Sequence, residues 1–369
     1  MNVLMSSTSY PENAQDWRGR FIVNLAAGLG RSKRVQLALW APPGDLPPGV
    51  ESTTAPQDQA WLRALAQQGG IAHMLRGNKF RAVGAAIVLL LRLYRAYRRT
   101  PADLVHVNWL QNALPLWGTK KPAVVNVLGT DFALLRLPGM CAALRSVFKQ
   151  RRTILTPNAQ WMAPELLRLF GDVAQVQTVP FGIDQAWFDL HRQPNTDGPA
   201  HWLAIARLTK NKIGDLFDWG EGLFGAHRVL HLFGPMQEQL ALPVWVQYHG
   251  PTHPAELLSH WFPSATGLIT LSRHDEGRPQ VMLEAMASGL PIIASNLAAH
   301  RDFIQHGQTG WLIESQQDFA NALTQLGGRE LNESIGQAAR SWALQEVGTW
   351  DDCATRYTAL YASLLKRTP

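Results

Sequence analysis

Two glutamates, Glu276 and Glu284, stand on either side of a predicted helix start in the second half of the chain. The apolar run at residues 267–271 predicts a buried strand, and the polar residues after it predict a loop that leads to Glu276. Pro279 suits the first position of a helix because it has no backbone N–H to leave unpaired, and Gly289 marks the helix end. A strand, a loop and a short helix therefore bring two carboxylates close to one helix N-terminus.

Glu284 is the unusual residue of this short helix. The other residues are apolar and cover most of the circumference, as in a buried helix: Val281, Met282, Leu283, Ala285 and Met286. A carboxylate in such a helix is costly unless something binds it. One interpretation is an ion pair with Arg278 or Arg301. The other is a ligand flanked by both glutamates and held by the free N–H groups of the first helical turn, which favour phosphate.

The motifs around the two glutamates resemble a known family. Glu-Gly-x-Pro at residues 276–279 and Leu-Glu-Ala-Met-Ala-x-Gly-Leu-Pro at residues 283–291 resemble the signature of the retaining glycosyltransferases of the GT-B fold, specifically glycosyltransferase family 4, the glycosyl transferases group 1. The resemblance implies that Glu276 contacts the hexose of a nucleotide-sugar donor and that Glu284 contacts its ribose. The donor-binding residues that it implies are Glu284, Gly277, Arg278, Pro279, Gln280, Val281, Gly19 and Gly234.

Two cations follow the predicted first strand of the second half. Arg207 and Lys212 match the Arg and Lys, five residues apart, that hold the donor diphosphate in the family, although two cations on a loop are also typical of a solvated surface. The resemblance implies that Glu276, Arg207 and Lys212 are the catalytic residues, with the cations stabilising the leaving diphosphate. No cofactor and no metal ion are expected, because Asp-x-Asp occurs nowhere in the chain and the two cations can supply the same charge.

The first half carries weaker signals. Leu128-Gly129-Thr130-Asp131 resembles the family's His-Gly-x-Asp loop that faces the donor sugar, but Leu128 stands where the His is expected. The candidate sugar or acceptor contacts are His106, Gly129 and Asp131, and His106 is equally typical of a structural hydrogen bond at a strand end. Gly19, in a loop that resembles the family's first Gly-containing loop, is also typical of a simple turn.

The alternation of strands and helices predicts an α/β protein with two Rossmann-like, doubly wound domains. By resemblance this is the GT-B fold, in which the domains face each other across a cleft. We expect an N-terminal acceptor domain at residues 1–185, a linker at 186–200, a C-terminal donor domain at 201–350, and a last helix at 351–366 that crosses back to the first domain.

Charge is distributed unevenly along the chain. Residues 1–180 carry 21 Lys and Arg against 9 Asp and Glu, a net charge of +12, whereas residues 181–369 carry 13 against 19, a net charge of −6. A helix predicted from about Phe80 to Arg99 contributes Arg81, Arg92, Arg95 and Arg99. Its apolar residues are either the face that packs on the sheet, which leaves a solvated basic face, or part of a surface that meets an anionic membrane.

Composition and motifs limit the remaining choices. Two cysteines far apart in sequence argue against a disulfide framework or a Cys-based metal site. No signal peptide is recognisable, and the longest apolar run is too short to span a bilayer, so we expect a cytoplasmic location, with peripheral association at the inner face of the membrane as one option. A nucleic-acid partner is not expected, because aromatic residues do not interleave with the basic segments.

The resemblance predicts a retaining hexosyltransferase, which moves a hexose from a nucleotide-sugar to a glycan or lipid-linked acceptor in bacterial polysaccharide or glycolipid assembly. Two alternatives stay open. A nucleotide-sugar epimerase shares this fold, and the Leu at position 128 also fits an inactive paralogue that serves as a partner subunit. The nucleobase, the hexose and the acceptor are not fixed by the sequence.

Overall fold

The computed structural model describes residues 1–13, 16, 18–129, 131–193, 198–274 and 277–366. The chain divides into two compact units. The first comprises Met1–Gly182 together with Trp350–Pro369, and the second comprises Ile183–Thr349.

A parallel sheet forms the centre of the first unit. Within the described residues it has seven strands in the order β3-β2-β1-β4-β5-β6-β7. Its central strands are buried on both faces, as expected where helices cover a parallel sheet. The strands are β1 (Asn2–Ser6), β2 (Gln36–Trp40), β3 (Val50–Ser52), β4 (Leu104–Asn108), β5 (Ala123–Val127), β6 (Thr153–Pro157) and β7 (Gln175–Val176).

In the part of the chain that the structure describes, six α-helices precede the second unit: α1 (Arg20–Arg31), α2 (Pro56–Gln67), α3 (Gly70–Gly77), α4 (Lys79–Arg99), α5 (Met140–Phe148) and α6 (Ala163–Phe170). Short 3-10 turns occupy Leu110–Leu116, Phe132–Arg136 and Gln160–Met162.

Helix α4 packs through a different face from the one that its periodicity suggested. The buried residues are Ala82, Leu89, Leu93, Ala96 and Tyr97. Phe80, Val83 and Leu91, which share the other apolar face, are exposed, so the interpretation in which these residues pack on the sheet is wrong. Tyr97 decides the orientation, because its hydroxyl lies 2.8 Å from Ser6 Oγ and donates to the Asn112 carbonyl at 2.8 Å. Both faces of α4 are apolar, so the pattern alone could not distinguish them.

The second unit is built on a parallel sheet with six strands, within the described part of the chain, in the order β10-β9-β8-β11-β12-β13. The strands are β8 (Ala200–Ile205), β9 (Arg228–Phe233), β10 (Val246–Gly250), β11 (Gly267–Thr270), β12 (Ile292–Ser295) and β13 (Trp311–Ile313). Its helices are α7 (Gln185–Asp189), α8 (Lys210–Ile213), α9 (Leu216–Gly220), α10 (Pro254–Glu256), α11 (Phe262–Ser264), α12 (Gln280–Ala287), α13 (Ala298–Arg301), α14 (Gln316–Gln325) and α15 (Arg329–Trp342).

The stretch predicted as a linker is largely part of the second unit. Helix α7 buries Trp187 and Phe188 in its core. The Arg192 guanidinium donates to the carbonyls of Gly289 and Ala265 at 2.7 and 2.8 Å. The polar composition of residues 191–200 suggested a linker, but the aromatic residues just before them supply core contacts that fix this segment.

The last helix, α16 (Trp350–Leu365), belongs to the first unit and packs on α1. Gly28 of α1 permits the close approach, because a Cβ at this position would lie 2.8 Å from the Trp350 carbonyl oxygen. None of the described helices has both the length and the apolar character needed to cross a membrane.

The contact between α1 and α16 predicts opposite effects for two Gly-to-Ala changes. Gly28→Ala should lower the free energy of unfolding by about 1–3 kcal/mol, because the added methyl group meets backbone. Gly84→Ala on α4 should raise it by about 0.5–1 kcal/mol, because nothing lies within 4 Å of its Cβ position and alanine favours the helix. Urea unfolding of both variants measures this. Equal effects of the two changes would contradict the packing described here.

Candidate functional site

The first strand of the second unit, β8, lies between β9 and β11 at the centre of the sheet. The order of strands reverses at this point, because β9 and β10 extend to one side and β11, β12 and β13 to the other. In open parallel sheets, ligands bind in the crevice that such a reversal leaves at the carboxyl ends of the strands. The loops that follow β8 and β11 are therefore the first place to look for a site.

Two glycines bring these loops into backbone contact. Gly234, after β9, has φ +126°, and a Cβ there would lie 1.8 Å from the Ala206 carbonyl oxygen. Gly214, after α8, has φ +56°, and a Cβ there would lie 1.8 Å from the Leu271 carbonyl oxygen. No other residue type fits at either position, so the loops after β8, β9 and β11 approach each other as closely as the backbone permits.

Hydrogen bonds extend this contact to β12. The Arg273 N–H donates to the Asn211 carbonyl at 2.8 Å, and the Ser295 hydroxyl donates to the Ser272 carbonyl at 2.6 Å. The loops after β8, β11 and β12 thus form one connected edge of the sheet.

Both predicted cations lie at this edge. Arg207 is exposed just after β8, and Lys212 is half-buried on α8. Burial, and next the charge of Arg207, lower the pKa of Lys212 to about 7. The proximity of a second cation raises the electrostatic cost of charging Lys212, and a bound anion would relieve that cost.

His300 is a candidate that the sequence analysis missed. It is 1% exposed, and its Nδ1 lies 2.7 Å from the Ser295 carbonyl oxygen, so Nδ1 carries the proton and donates. Burial lowers its pKa to about 4, with a smaller contribution from the Lys212 charge. A neutral imidazole therefore lies near Lys212. The one feature of the sequence that could have indicated His300 is its position five residues after the end of a buried strand, β12.

Helix α12 presents Glu284 on its less buried side. Met282, Leu283, Ala285, Met286 and Ala287 are buried, whereas Gln280, Val281 and Glu284 are partly exposed. Pro279 is the N-cap, so the helix begins at Gln280, one residue later than predicted, and no side chain of the described residues caps it. Gly277 is buried just before the helix. Glu284 lies one turn after the first helical residue, on the side of α12 that is less buried. Glu276 lies outside the described residues, and its role stays a prediction.

Arg278 differs from its predicted role. Its guanidinium forms an ion pair with Asp302, and the two side chains are 7% and 4% exposed. The guanidinium carbon also lies 5.8 and 5.9 Å from the ring centroids of Phe303 and Trp342. The side chain is thus committed to the interior of the unit, and a donor contact through the backbone of Arg278 stays a prediction. Arg301, the other proposed partner of Glu284, donates to Asn296.

The predicted residues of the first unit separate into two groups. His106 is fully buried, its Nδ1 is hydrogen-bonded to the Tyr361 hydroxyl, and burial lowers its pKa to about 3. Asp131 is 2% exposed, and its two oxygens accept the N–H groups of Leu128 and Leu110 at 2.9 Å each. These side chains hold the fold together and do not offer a free face to a sugar.

Gly19 and Gly129 remain predictions as ligand contacts. Gly19 has φ +69° and packs against the backbone of Ser9. A Cβ at Gly19 would lie 2.8 Å from the carbonyl carbon and oxygen of Ser9. Gly129 has φ +98° directly after β5. Both conformations favour glycine, so both positions also have a structural explanation.

Comparison with known proteins indicates the family that this chain resembles. Residues 225–328 match the family model described as glycosyl transferases group 1. The predicted resemblance to this family is confirmed. The chain is 29% identical over 147 residues to D-inositol 3-phosphate glycosyltransferase of Corynebacterium aurimucosum, which is 39% of this chain and 34% of that protein. It is 30% identical over 115 residues to N-acetyl-alpha-D-glucosaminyl L-malate synthase of Bacillus anthracis, which is 30% of this chain and 29% of that protein.

These matches span about a third of the length of the curated relatives. Solved structures extend the likeness of fold to the whole chain. Sucrose-phosphate synthase of Thermosynechococcus elongatus aligns with a TM-score of 0.72 and 15% identity over 99% of each chain. Anabaena HepE in complex with UDP and glucose aligns with a TM-score of 0.67 and 13% identity over 99% of this chain and 100% of that one. The predicted fold class, two Rossmann-like α/β domains of the GT-B type, is confirmed.

The buried ion pair of Arg278 and Asp302 predicts a non-additive pattern of stability. Asp302→Leu alone should lower the free energy of unfolding by about 3–5 kcal/mol, because it leaves the Arg278 charge buried without its partner. The double variant Arg278→Met/Asp302→Leu should lie close to the parent, because it removes both charges. Chemical denaturation of Arg278→Met, Asp302→Leu and the double variant measures the coupling. If the two single effects simply add, the pair does not carry the interaction described here.

Proposed function

We propose that this protein is a retaining hexosyltransferase that moves a hexose from a nucleotide-sugar to a glycan or lipid-linked acceptor. The observation that carries the proposal is the arrangement at the carboxyl edge of the second sheet. Arg207, Lys212, the N-terminus of α12 and Glu284 all lie on segments that follow β8 and β11, at the point where the strand order reverses. Cations and helix N–H groups suit a diphosphate, and a carboxylate suits ribose hydroxyl groups.

Each residue then has a distinct task. Arg207, Lys212 and the first turn of α12 stabilise the charge that builds on the diphosphate as its bond to the anomeric carbon breaks. Glu284 binds the ribose, and Glu276 orients the hexose. The acceptor oxygen bonds to the anomeric carbon on the face that the diphosphate leaves, and a phosphate oxygen takes the acceptor proton. Because two side-chain cations supply the positive charge, we propose that no divalent metal is needed, and activity should persist in EDTA.

The first donors to test are UDP-sugars. HepE has been solved in complex with UDP and with UDP-glucose, and its fold aligns over nearly the whole chain. No specific observation favours the epimerase or the inactive paralogue. An epimerase would interconvert sugars without an acceptor, and an inactive paralogue would release no nucleotide from any donor.

A nucleotide-release screen with UDP-, GDP- and ADP-sugars tests the proposal, and two matched variants test the roles of the glutamates. Glu276→Gln should abolish transfer and leave the Kd for the nucleoside diphosphate nearly unchanged, because its contact is to the hexose and not to the phosphates. Glu284→Ala should raise the Kd by about 10- to 150-fold, the loss of a charge-assisted hydrogen bond. NMR of the product should show the donor's anomeric configuration.

Release of nucleotide by Glu276→Gln at the parent rate would contradict the assignment of Glu276. A product of inverted configuration would contradict retention. If the parent releases nucleotide from no donor in the presence of any acceptor, the proposed function itself fails.

The pKa of Lys212 predicts that donor binding weakens as the pH rises. The pKa is lowered to about 7, so the side chain is charged below this value and loses its charge above it. A diphosphate binds the charged form better. The Kd for UDP-glucose, whose diphosphate does not titrate near neutrality, should therefore rise by up to about tenfold per pH unit above about pH 7. Lys212→Arg should bind with little dependence on pH over this range, because guanidinium stays charged. A parent Kd that does not change between about pH 6 and 9 would contradict a role for this charge.

We further propose that the first unit docks on an anionic membrane at the cytoplasmic side, through α4. The exposed face of this helix is an apolar stripe at helical spacing, which we call the α4 stripe: Phe80, Val83, Ile87, Leu91 and Tyr94. Phe80 is 93% exposed and Leu91 52% exposed. Monomeric proteins rarely expose a continuous apolar stripe unless it meets a partner or a membrane.

Basic residues border the α4 stripe and give it a preference for anionic lipid. Arg81, Arg95 and Arg99 are exposed beside it. Arg92, predicted to join them, is only 21% exposed, forms an ion pair with Asp58 and lies 5.0 Å from the ring centroid of Trp61. It therefore supports the fold of the unit. Each exposed cation contributes about 1 kcal/mol near an anionic leaflet, and the apolar side chains add burial in the interface.

Vesicle co-sedimentation tests this surface. The parent should pellet with vesicles containing phosphatidylglycerol and much less with pure phosphatidylcholine, and salt should weaken the binding. Reversing the charges of Arg81, Arg95 and Arg99 to Glu should abolish the anionic preference. Phe80→Ser/Leu91→Ser should weaken binding at high salt. The control carries the same charge change at three exposed sites elsewhere: Arg136, Arg168 and Arg329.

Equal loss of binding in this control would mean that net charge alone is responsible. Absence of pelleting in the parent would mean that the α4 stripe meets something other than a membrane.

A further inference from the structure

Trp109 has an unusual backbone conformation. It is the one residue other than glycine with a positive φ among the described residues, at φ 69° and ψ 132°. A bulky side chain at positive φ is a genuine outlier, and such conformations persist only where the surroundings enforce them. They occur preferentially at sites that hold ligands, which justifies asking what Trp109 does.

Four polar contacts enforce this conformation. The Trp109 N–H donates to the Asn126 carbonyl, and its own carbonyl accepts the Asn112 N–H, both at 3.1 Å. The next residue, Leu110, donates its N–H to the Asp131 carboxylate at 2.9 Å, and Asn112 Nδ2 donates to the Asn108 carbonyl at 2.8 Å. The buried Asp131 thus acts as a positioning residue, because its second oxygen holds the loop after β5.

The position in the sheet is that of a ligand site. In the first unit, β1 lies between β2 and β4, so the strand order reverses between β1 and β4. Trp109 follows β4 directly, and Phe21 lies at the start of α1, which follows β1. Their rings are 6.0 Å apart at 73°, so the two loops meet at this edge. This is the crevice in which open parallel sheets bind ligands.

The indole itself is suited to a ligand with both apolar and polar groups. Its side chain is only half-buried, so part of the indole stays accessible to a ligand. An indole joins a large apolar ring to one polar N–H, which suits a site that is apolar on one side and wet on the other. Phe21 stacks in turn on Phe181, with centroids 5.2 Å apart at 22°, and supports the ring from one side.

We propose that Trp109 is the platform on which a pyranose ring of the acceptor stacks. The C–H face of a pyranose carries partial positive charge and meets the negative face of the indole. Hydrogen bonds from the loops fix the ring before the sugar arrives, which reduces the entropy lost on binding. The inference rests on the proposed function, because it assigns the acceptor a sugar ring.

Three substitutions separate the ring from the strained backbone. Trp109→Phe keeps an aromatic face without the N–H, Trp109→Ala removes the face and keeps the strain, and Trp109→Gly removes both. Saturation-transfer NMR with the methyl glycosides of glucose, galactose, mannose and N-acetylglucosamine, in the presence of excess UDP, detects binding without any need for activity. Unfolding temperatures of the variants show whether each one folds.

The parent should saturate the ring protons of at least one glycoside. Trp109→Ala and Trp109→Gly should both lose this signal, and Trp109→Phe should keep part of it. With an acceptor found by the nucleotide-release screen, Ala and Gly should raise the KM for the acceptor by about tenfold and leave the KM for the donor unchanged.

Equal saturation in parent and Trp109→Ala, or a change confined to the donor KM, would overturn the inference while leaving the proposed function intact. Absence of saturation for all four glycosides in the parent would also overturn it. Nucleotide release from no donor would overturn the proposed function separately, because the NMR experiment requires no turnover.

Discussion

The second unit depends on backbone contacts so close that a Cβ atom at either of two glycines would clash. Gly214 and Gly234 let the loops after β8, β9 and β11 touch at the carboxyl edge of the sheet. This contact places Arg207 and Lys212 beside the segment that leads into α12. Burial, and next the charge of Arg207, lower the pKa of Lys212. The electrostatic cost of this arrangement would be offset by a bound anion, which connects the packing of the glycines to the proposed affinity for a diphosphate.

The first unit follows the same topological rule with different chemistry. Its strand order also reverses beside its first strand, and aromatic rings and buried amides lie at this edge, next to Arg20 at the start of α1. Asp131 is central here, because its buried carboxylate accepts N–H groups from two loops. The second unit thus offers cations to the proposed diphosphate, and the first unit offers an aromatic ring to the proposed acceptor sugar.

Much of the fold could be predicted because buried parallel strands have a simple pattern. The short and mostly apolar runs at residues 2–6, 123–127 and 292–295 predict three strands, and β1, β5 and β12 have these bounds in the structure. Helices α2 and α3 and strand β3 escaped prediction. Strand β3 lies in a Pro- and Gly-rich stretch, and only Leu62 and Leu65 of α2 are buried, so neither segment carries a strong pattern.

The positions of site residues could be predicted where they follow from spacing along the sequence. The partners of their side chains could not, because those contacts depend on the tertiary fold. Glu284 could be located because α12 is otherwise apolar. The pairing of Arg278 with Asp302 could not be predicted, because the two residues meet only through the fold. The same holds for the position of His300 beside Lys212. The positive φ angle of Trp109 could not be predicted either, because only glycine signals such a conformation in a sequence. Helix α4 has two apolar faces, and the pattern did not show which one packs on the sheet. The face with Tyr97 is buried, and its hydroxyl forms hydrogen bonds there.

Hydrogen exchange measured by mass spectrometry, with and without the nucleotide-sugar that the screen identifies, tests the central claim most directly. The account predicts slower exchange in peptides from the loops at the carboxyl edge of the second sheet, covering residues 206–214, 232–236 and 271–287. Peptides from the C-terminal half of α14, at residues 320–325, should exchange at the same rate in both conditions. Protection confined to other parts of the second unit, or no protection at saturating donor, would show that this edge does not bind the donor.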